Sequence, residues 1–458
     1  MSQGPALNLG SWQGLDGVTG GDQLLIPARH LVTHGVAVGM TGSGKTGLVT
    51  VLVEEALSAG IPTIVIDVKG DLPNLLLTFP SGVPETLRPW VGSVTSDATP
   101  EQRAFAEKTT LRVITPGATS GESLHVLSAL ERRSSRWDTD EESARDALSA
   151  AVSLVLRLLG RDPDPAKSRE HVLLSVLAER RLMMGENAEI SALMKDLVSP
   201  PISEIGALSL NSFLRKSERS SLAAALNSLL ASPTFSSWRK GASLDVAEWL
   251  TPHEGRTPGV IVSVAHLDDE ERALVLGVVL EEILSWVRGL PGSRDLKALI
   301  VFDEVYGYLP PHPANPPTKR PIVSLMKQAR AFGVGVVIAT QNPMDLDYRA
   351  LSNAGLWWIG RLQTDADRAR VMDGLSGATN TTDDLTELEH IVPRLAPRWF
   401  VVKNVHAAAA GPLLLKPRDT WSLMRGPLTR NELRQVREWR AGVNEEGVNR
   451  ETIEPGSD

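Results

Sequence analysis

The segment Gly39-Met40-Thr41-Gly42-Ser43-Gly44-Lys45-Thr46 satisfies G-x-x-x-x-G-K-[ST] in full. Glycines at these positions let backbone N–H groups turn inward around a β-phosphate, and the start of a helix adds partial positive charge. Lys45 reaches for the β- and γ-phosphates, the Thr46 hydroxyl is a ligand for Mg²⁺, and Gly47 continues the loop into the helix. Far along the chain, Asp303-Glu304 follows the apolar run Leu299–Phe302. An acid emerging from such a strand is placed to hold Mg²⁺, here Asp303. Glu304 beside it is placed to orient and deprotonate a water. That pair favours hydrolysis over transfer of phosphate to a second substrate. Gln341 ends the next apolar run, in Ala339-Thr340-Gln341-Asn342, where an amide can sense the γ-phosphate or position the water because it both donates and accepts.

A rival reading exists for the first segment. Gly42, Gly44 and Gly47 also spell G-x-G-x-x-G, and Asp67 stands where a dinucleotide site would want an acid for the ribose. That reading neither requires Lys-Thr after the second glycine nor predicts an acidic pair on a distant strand.

These residues need strands that end together. His34–Gly39, Ile61–Asp67, Leu296–Asp303 and Val334–Gln341 are short β-branched runs of the kind buried in parallel sheets, with weaker candidates at Leu111–Thr115, Gly259–Ala265 and Leu356–Leu362. Thr46–Ala59 has a helical apolar face and stops at Gly60. Alternating strands and helices predict an α/β fold with a mainly parallel sheet and crossover helices. Residues 119–258 change texture. Ser143–Leu159 carries a helical stripe, and further helices are expected near 167–183, 187–198 and 212–231. Arg215, Lys216, Arg219, Arg239 and Lys240 form either a basic face there or an ordinary solvated surface. Residues 310–321 hold six prolines and predict an extended loop. Arg398–Val405 and Gly411–Lys416 pattern as an antiparallel hairpin, a charged helix follows near 429–441, and 443–458 read as disordered.

Because Lys45 and Asp303 must meet around one Mg²⁺, the expected organisation is one interrupted core. It comprises an N-terminal β segment (1–30), the first half of the core (31–118), a helical insertion (119–258), the second half with its hairpin (259–415) and a charged tail (416–458). Composition narrows the function classes further. The 458 residues are 42% hydrophobic and contain no cysteine, which excludes disulfide scaffolds, thiolate zinc sites and thiol nucleophiles. No basic-then-apolar leader opens the sequence and no apolar run reaches membrane-spanning length, so the expectation is a soluble cytoplasmic protein without membrane contact. The formal net charge of −8 argues against a blanket basic surface, though a ring can be acidic outside and basic along a channel. His30 and His34 lack a third ligand nearby and are not read as a metal site. Trp357-Trp358 are read as packing residues.

Taken together, GMTGSGKT, Ile64–Asp71 (IVIDVKGD), LIVFDE, Lys327–Pro343 (KQARAFGVGVVIATQNP) and Pro258–Leu280 resemble the HerA branch of the HerA/FtsK superfamily of P-loop ATPases. The resemblance covers residues 24–120 and 258–375. It implies a RecA-like P-loop core that uses ATP and Mg²⁺ and a homo-oligomeric, hexameric ring with ATP sites between subunits. It also implies translocation on double-stranded DNA, often beside a nuclease or other effector protein. The family's phosphate-loop, acidic-pair and glutamine positions fall on Gly39–Thr46, Asp303, Glu304 and Gln341. A site shared between subunits also calls for an arginine finger. Arg330, before the Gln341 strand, is the first candidate, and Arg361, after the next strand, is the second. Asp67 and Lys69 match the family's second-strand motif, either facing DNA or bracing the phosphate loop. The branch usually opens with a β-barrel, whereas about thirty residues precede the phosphate-loop strand here. Two functions remain: a DNA-translocating motor, gripping through loops 308–320 (Lys319, Arg320) and 343–350 (Arg349), or an ATP-gated ring that scaffolds a partner without moving along DNA.

Overall fold

The computed structural model describes residues 4–451 apart from 16, 93–97, 348–352, 363 and 377–387. Eleven strands form one sheet: β1 (Gly10–Gly14), β2 (Gly20–Gly21), β3 (Gly35–Val38), β4 (Thr63–Asp67), β5 (Thr109–Ile114), β6 (Thr257–Ser263), β7 (Ser293–Asp303), β8 (Phe332–Thr340), β9 (Leu356–Ile359), β10 (Phe400–Asn404) and β11 (Leu413–Pro417). Their order across the sheet is β2-β1-β11-β10-β9-β3-β8-β7-β4-β6-β5. From β9 to β5 every pairing is parallel, and from β9 to β2 every pairing is antiparallel. The mainly parallel α/β sheet expected from the β-branched runs is therefore present, and the hairpin at 398–416 extends it as β10 and β11.

The two faces follow the period of two. Val36 and Val38 point into one core together with Ile64, Ile66, Ile300, Phe302 and Trp357. Ala37, Val65, Leu299, Val301 and Trp358 point into the other. Both tryptophans are buried, one per face, as packing residues should be. The second face is covered by α1 (Lys45–Ser58), whose Leu48, Val51 and Leu52 are buried. The first is covered by α2 (Glu141–Leu158), α3 (Arg169–Met183) and α4 (Asp269–Arg288). Asp140 caps α2 by accepting from Ser143 N, and Asp268 with Glu271 forms a capping box for α4. Leu148, Val152 and Leu173 belong to the same continuous core as the strands, so the helices between β5 and β6 complete the sheet's own interior. Each buried leucine there contributes about 1.5–3 kcal/mol.

Three local expectations change. The proline-rich loop ends at Thr318, because Lys319–Gln328 forms a helix (α5) that accommodates Pro321 in its first turn. The C-terminal helix (α6) spans Arg430–Glu451, beyond the expected end at 441 and into the stretch read as disordered; residues 452–458 lie outside the described residues. Of the five basic residues, Arg215, Lys216 and Lys240 are exposed and the other two are engaged inside the chain. Arg219 is buried, donating to Leu214 O and Asn211, and Arg239 pairs with the buried Glu131. Among the described residues, no helix is long and apolar enough to cross a membrane.

Candidate nucleotide site

The site forms where β3, β7 and β8 end together. Because β8 lies between β3 and β7, Gln341 stands between the glycine-rich loop and the acidic pair. The loop 39–44 leaves β3 and enters α1. Gly42 and Gly44 adopt φ of 80° and 92°, a left-handed conformation that a side chain disfavours. A Cβ on Gly39 would stand 2.6 Å from Ser43 Oγ, and one on Gly44 would stand 3.0 Å from Arg398 Cγ and 3.1 Å from Arg398 Cα. Backbone bonds from Met40 N to Arg361 O (3.0 Å) and from Arg398 N to Ser43 O (2.9 Å) hold the loop. A Cβ on Gly47 would meet nothing within 4 Å. The dinucleotide reading uses its third glycine for close helix–strand packing, and here that need is missing.

Gly44→Ala is expected to lower unfolding stability by about 1–2 kcal/mol from the left-handed backbone alone. Urea denaturation measures it. An unchanged midpoint would show that the loop does not hold this conformation in solution.

The charged groups converge on Glu304. Its Oε2 accepts from Lys45 Nζ (3.1 Å) and Lys69 Nζ (2.7 Å). Its Oε1 accepts from Gln341 N (3.1 Å) and Thr340 Oγ1 (3.2 Å). Glu304 is itself in the left-handed region, at φ 65°, a strained conformation for a non-glycine residue of the sort concentrated at functional sites. Burial opposes its charge, but Lys45, Lys69 and the Gln341 amide outweigh that and hold its carboxyl below the usual range. The Gln341 side chain accepts from Thr41 Oγ1 (2.8 Å), linking the β8 end to the phosphate loop. Lys45 is 4% exposed, and burial lowers its pKa against the pull of Glu304 and Asp303.

Asp303 is buried with neither carboxylate oxygen hydrogen-bonded, and burial raises its pKa. It registers beside Asp67 on β4, another buried acid, which burial pushes up to about 7 while Ser263 Oγ and Gly70 N donate to it. A buried carboxylate without a partner is costly unless a cation takes it, and oxygen donors suit Mg²⁺. Asp303, with the half-buried Thr46 at the head of α1, fits that ion. Among the described residues no cluster of three or more His, Asp or Glu could hold a metal by itself.

The structure thus brings together the loop 39–47, Asp303, Glu304 and Gln341, with Arg361 touching the loop through its carbonyl. It does not bring Arg330 there. Arg330 precedes β8 at the strand's opposite end. Lys69 donates to Glu304, a contact that neither of its two sequence readings named. Thr340 and Arg398 were not singled out by sequence. Thr340 immediately precedes Gln341 and could have been; nothing local marks Arg398, which reaches the loop from the turn before β10. Lys319 does not grip from a loop either, because it is buried and pairs with Asp347 (3.2 Å). Arg320 heads α5 with it, and Arg349 lies outside the described residues.

The family model for the central domain of helicase HerA matches residues 20–110. Among solved structures, VirB4 of Thermoanaerobacter pseudethanolicus is similar with a TM-score of 0.53 at 13% identity, covering 91% of this chain and 97% of that one. Plasmid coupling protein TrwB in complex with ADP and Mg²⁺ is similar with a TM-score of 0.52 at 14% identity, covering 93% and 92%. At these identities the likeness is one of fold. No curated protein matches the chain.

Proposed function

From the premise that the chain belongs to the HerA/FtsK superfamily of P-loop ATPases, we propose that it hydrolyses ATP in the cytoplasm as a homo-oligomeric, hexameric ring that translocates on double-stranded DNA beside a nuclease or other effector. The observation that carries the hydrolytic part is the saturated Glu304. Lys45 and Lys69 hold it ionised next to Asp303 and within reach of the phosphate loop. ATP would displace Glu304 as the partner of Lys45, because the lysine then meets the β- and γ-phosphates. Thr46 and Asp303 would hold Mg²⁺, which neutralises charge developing on the phosphates. Lys69 would still hold Glu304 ionised and able to take a proton from water. Gln341, bonded to Thr41, would register the γ-phosphate. ADP and Mg²⁺ in TrwB, a protein of the same fold, support this ligand pair.

The second reading, an ATP-gated ring that scaffolds a partner without moving on DNA, is favoured by one observation. Arg219, Arg239 and Lys319 are engaged inside the chain and are withdrawn from any DNA grip. The rate of phosphate release with and without long duplex DNA, at low salt and on a sample of known oligomeric state, separates the two. A motor should be stimulated by duplex and lose its binding steeply as salt rises. A rate indifferent to DNA would leave the scaffold.

A further inference from the structure

β5 (Thr109–Ile114) ends the parallel side of the sheet, and among the described residues its one neighbouring strand is β6. Its outer edge is taken only at the C-terminal end. There Glu122 N donates to Val113 O (2.7 Å) and Thr115 N donates to Glu122 O (2.9 Å). Alternate residues of a strand direct their backbone groups to opposite sides. The N–H and C=O of Leu111 therefore face outward with Val113 O, and neither is hydrogen-bonded on that side among the described residues. Such an edge is a template for one more strand. α6 does not cover it, because a cleft of about 500 Å³ lies between them. Arg434, Arg437 and Arg440 of α6 line this cleft, as does Arg256 at the approach to β6. Its two acids are Glu122, which Arg112 takes through three hydrogen bonds, and the exposed Glu438. Four arginines thus remain against one glutamate. Arg437 donates to Ser120 O (3.1 Å) and Arg440 to Leu76 O (2.8 Å). Both acceptors are neutral carbonyls, which leave the charge of these arginines in place. Burial and the nearby Arg256 lower Arg440 to about 10. Arg434 is exposed and makes no ion pair or side-chain hydrogen bond among the described residues.

We propose that this cleft receives an extended acidic segment of a partner polypeptide, which adds a strand along β5 and sets its carboxylates against Arg434, Arg437 and Arg440. The open backbone groups of an edge strand are met in register by another extended chain. Leu111 and Val113 point to the sheet face that α6 covers through Leu433 and Val436. Every second side chain of an added strand points to that face as well, toward the arginines. The sequence that fits is therefore one of acidic and apolar residues in alternation. A nucleic acid would satisfy the arginines but has no ladder of donors and acceptors at strand spacing. Thr109–Arg112, the part of the edge that Glu122 leaves open, extends about 13 Å at 3.3 Å per residue, enough to pair four residues. Four strands stand between β5 and β3, so at about 4.8 Å per step the cleft lies roughly 24 Å from the strand that carries the phosphate loop. Binding here is separate from the nucleotide site.

The probe is a fluorescein-labelled, end-blocked peptide of four Glu-Val repeats, titrated into the full chain without nucleotide and followed by anisotropy. Binding should saturate. It should weaken by about tenfold in Arg434→Glu, where an attraction at an exposed position becomes a repulsion. Leu111→Pro should abolish it, because proline removes the outward N–H and leaves the bonds to β6 in place. The same peptide N-methylated throughout should not bind, although its charge is unchanged. That control needs no substitution in the chain, so a variant that misfolds does not decide the result. Binding indifferent to N-methylation or to Arg434→Glu, or absent at about 1 mM peptide, overturns the proposal. Two other results overturn it by assigning the cleft elsewhere. A DNA oligonucleotide that binds the wild type and not Arg434→Glu, with no peptide bound, makes it a nucleic-acid surface. Self-association lost in Leu111→Pro, with no peptide bound, gives the edge to a second copy. A chain that fails to hydrolyse ATP would sink the proposed activity and leave this assay standing.

Discussion

Replacing Glu304 by Gln is expected to cut ATP turnover by about 10²–10⁴-fold, the range for removing a positioned general base, while nucleotide binding is retained. The amide keeps the shape of the carboxyl and can still accept from Gln341 N, but it cannot take a proton from water. It also breaks the attraction to Lys45 and Lys69, both within 3.1 Å of Oε2. In the wild-type chain Lys45 has to leave that attraction to reach a phosphate, so the variant should bind ATP at least as tightly. Phosphate release under multiple turnover and equilibrium binding of a fluorescent ATP analogue measure the two effects. Turnover within tenfold of wild type would remove Glu304 from the role of base and reopen the question of what activates the water.

The second large effect is one of stability, at Glu54. This residue of α1 is fully buried. Its oxygens accept from Arg418 Nη1 (2.9 Å), Trp421 N (3.0 Å), Ser422 N (2.8 Å) and Ser422 Oγ (2.8 Å). The carboxylate thus pins the segment after β11 against the helix that begins at the phosphate loop. Glu54→Ala leaves Trp421 N, Ser422 N and Ser422 Oγ without this acceptor and leaves Arg418 with Glu55 as its one remaining acid partner. The expected loss is about 3–5 kcal/mol, the range for breaking a buried ion pair from one side. Glu54→Gln, which keeps an acceptor of the same length, should lose less. Urea midpoints for the two variants check this, and equal losses would mean that the carboxylate's hydrogen bonds are not what hold the segment down.

The parts of the site legible in the sequence are those whose chemistry is written locally. Gly39–Thr46, Asp303-Glu304 and Gln341 each occupy a strand end, and a β-branched run followed by the functional residue announces both the element and the position. Trp357-Trp358 could be read as packing because two tryptophans in one strand must face opposite ways, and both faces of a parallel sheet are covered. Charge was harder. Lys319-Arg320 at the end of a proline-rich stretch looks like an exposed grip, yet Lys319 begins a helix and meets Asp347, 28 positions later. Arg219 and Arg239 were lost as a basic face for the same reason, since their partners Asn211 and Glu131 are set by how helices cross. Arg256 and Arg440 carried no signal of a shared cleft. They sit 184 positions apart in sequence, and only the packing of α6 beside β5 brings them together.

The order of strands across the sheet also bears on how the protein is made. β3, which carries the phosphate loop, is flanked by β8 and β9, so its registered partners are Val337–Thr340 and Leu356–Ile359. A ribosome that has delivered the loop must add roughly 300 more residues, a minute or less of synthesis at about 5–20 residues per second, before either neighbour exists. During that interval the apolar strand Gly35–Val38 has two bare edges. β1 waits longer still, because it pairs with β11. The nucleotide site therefore stays open until strands roughly 300 residues further on are made, and the emerging chain depends on long-range pairing. Truncation before β8 would leave an intact glycine-rich sequence whose strand has no partner to hold it.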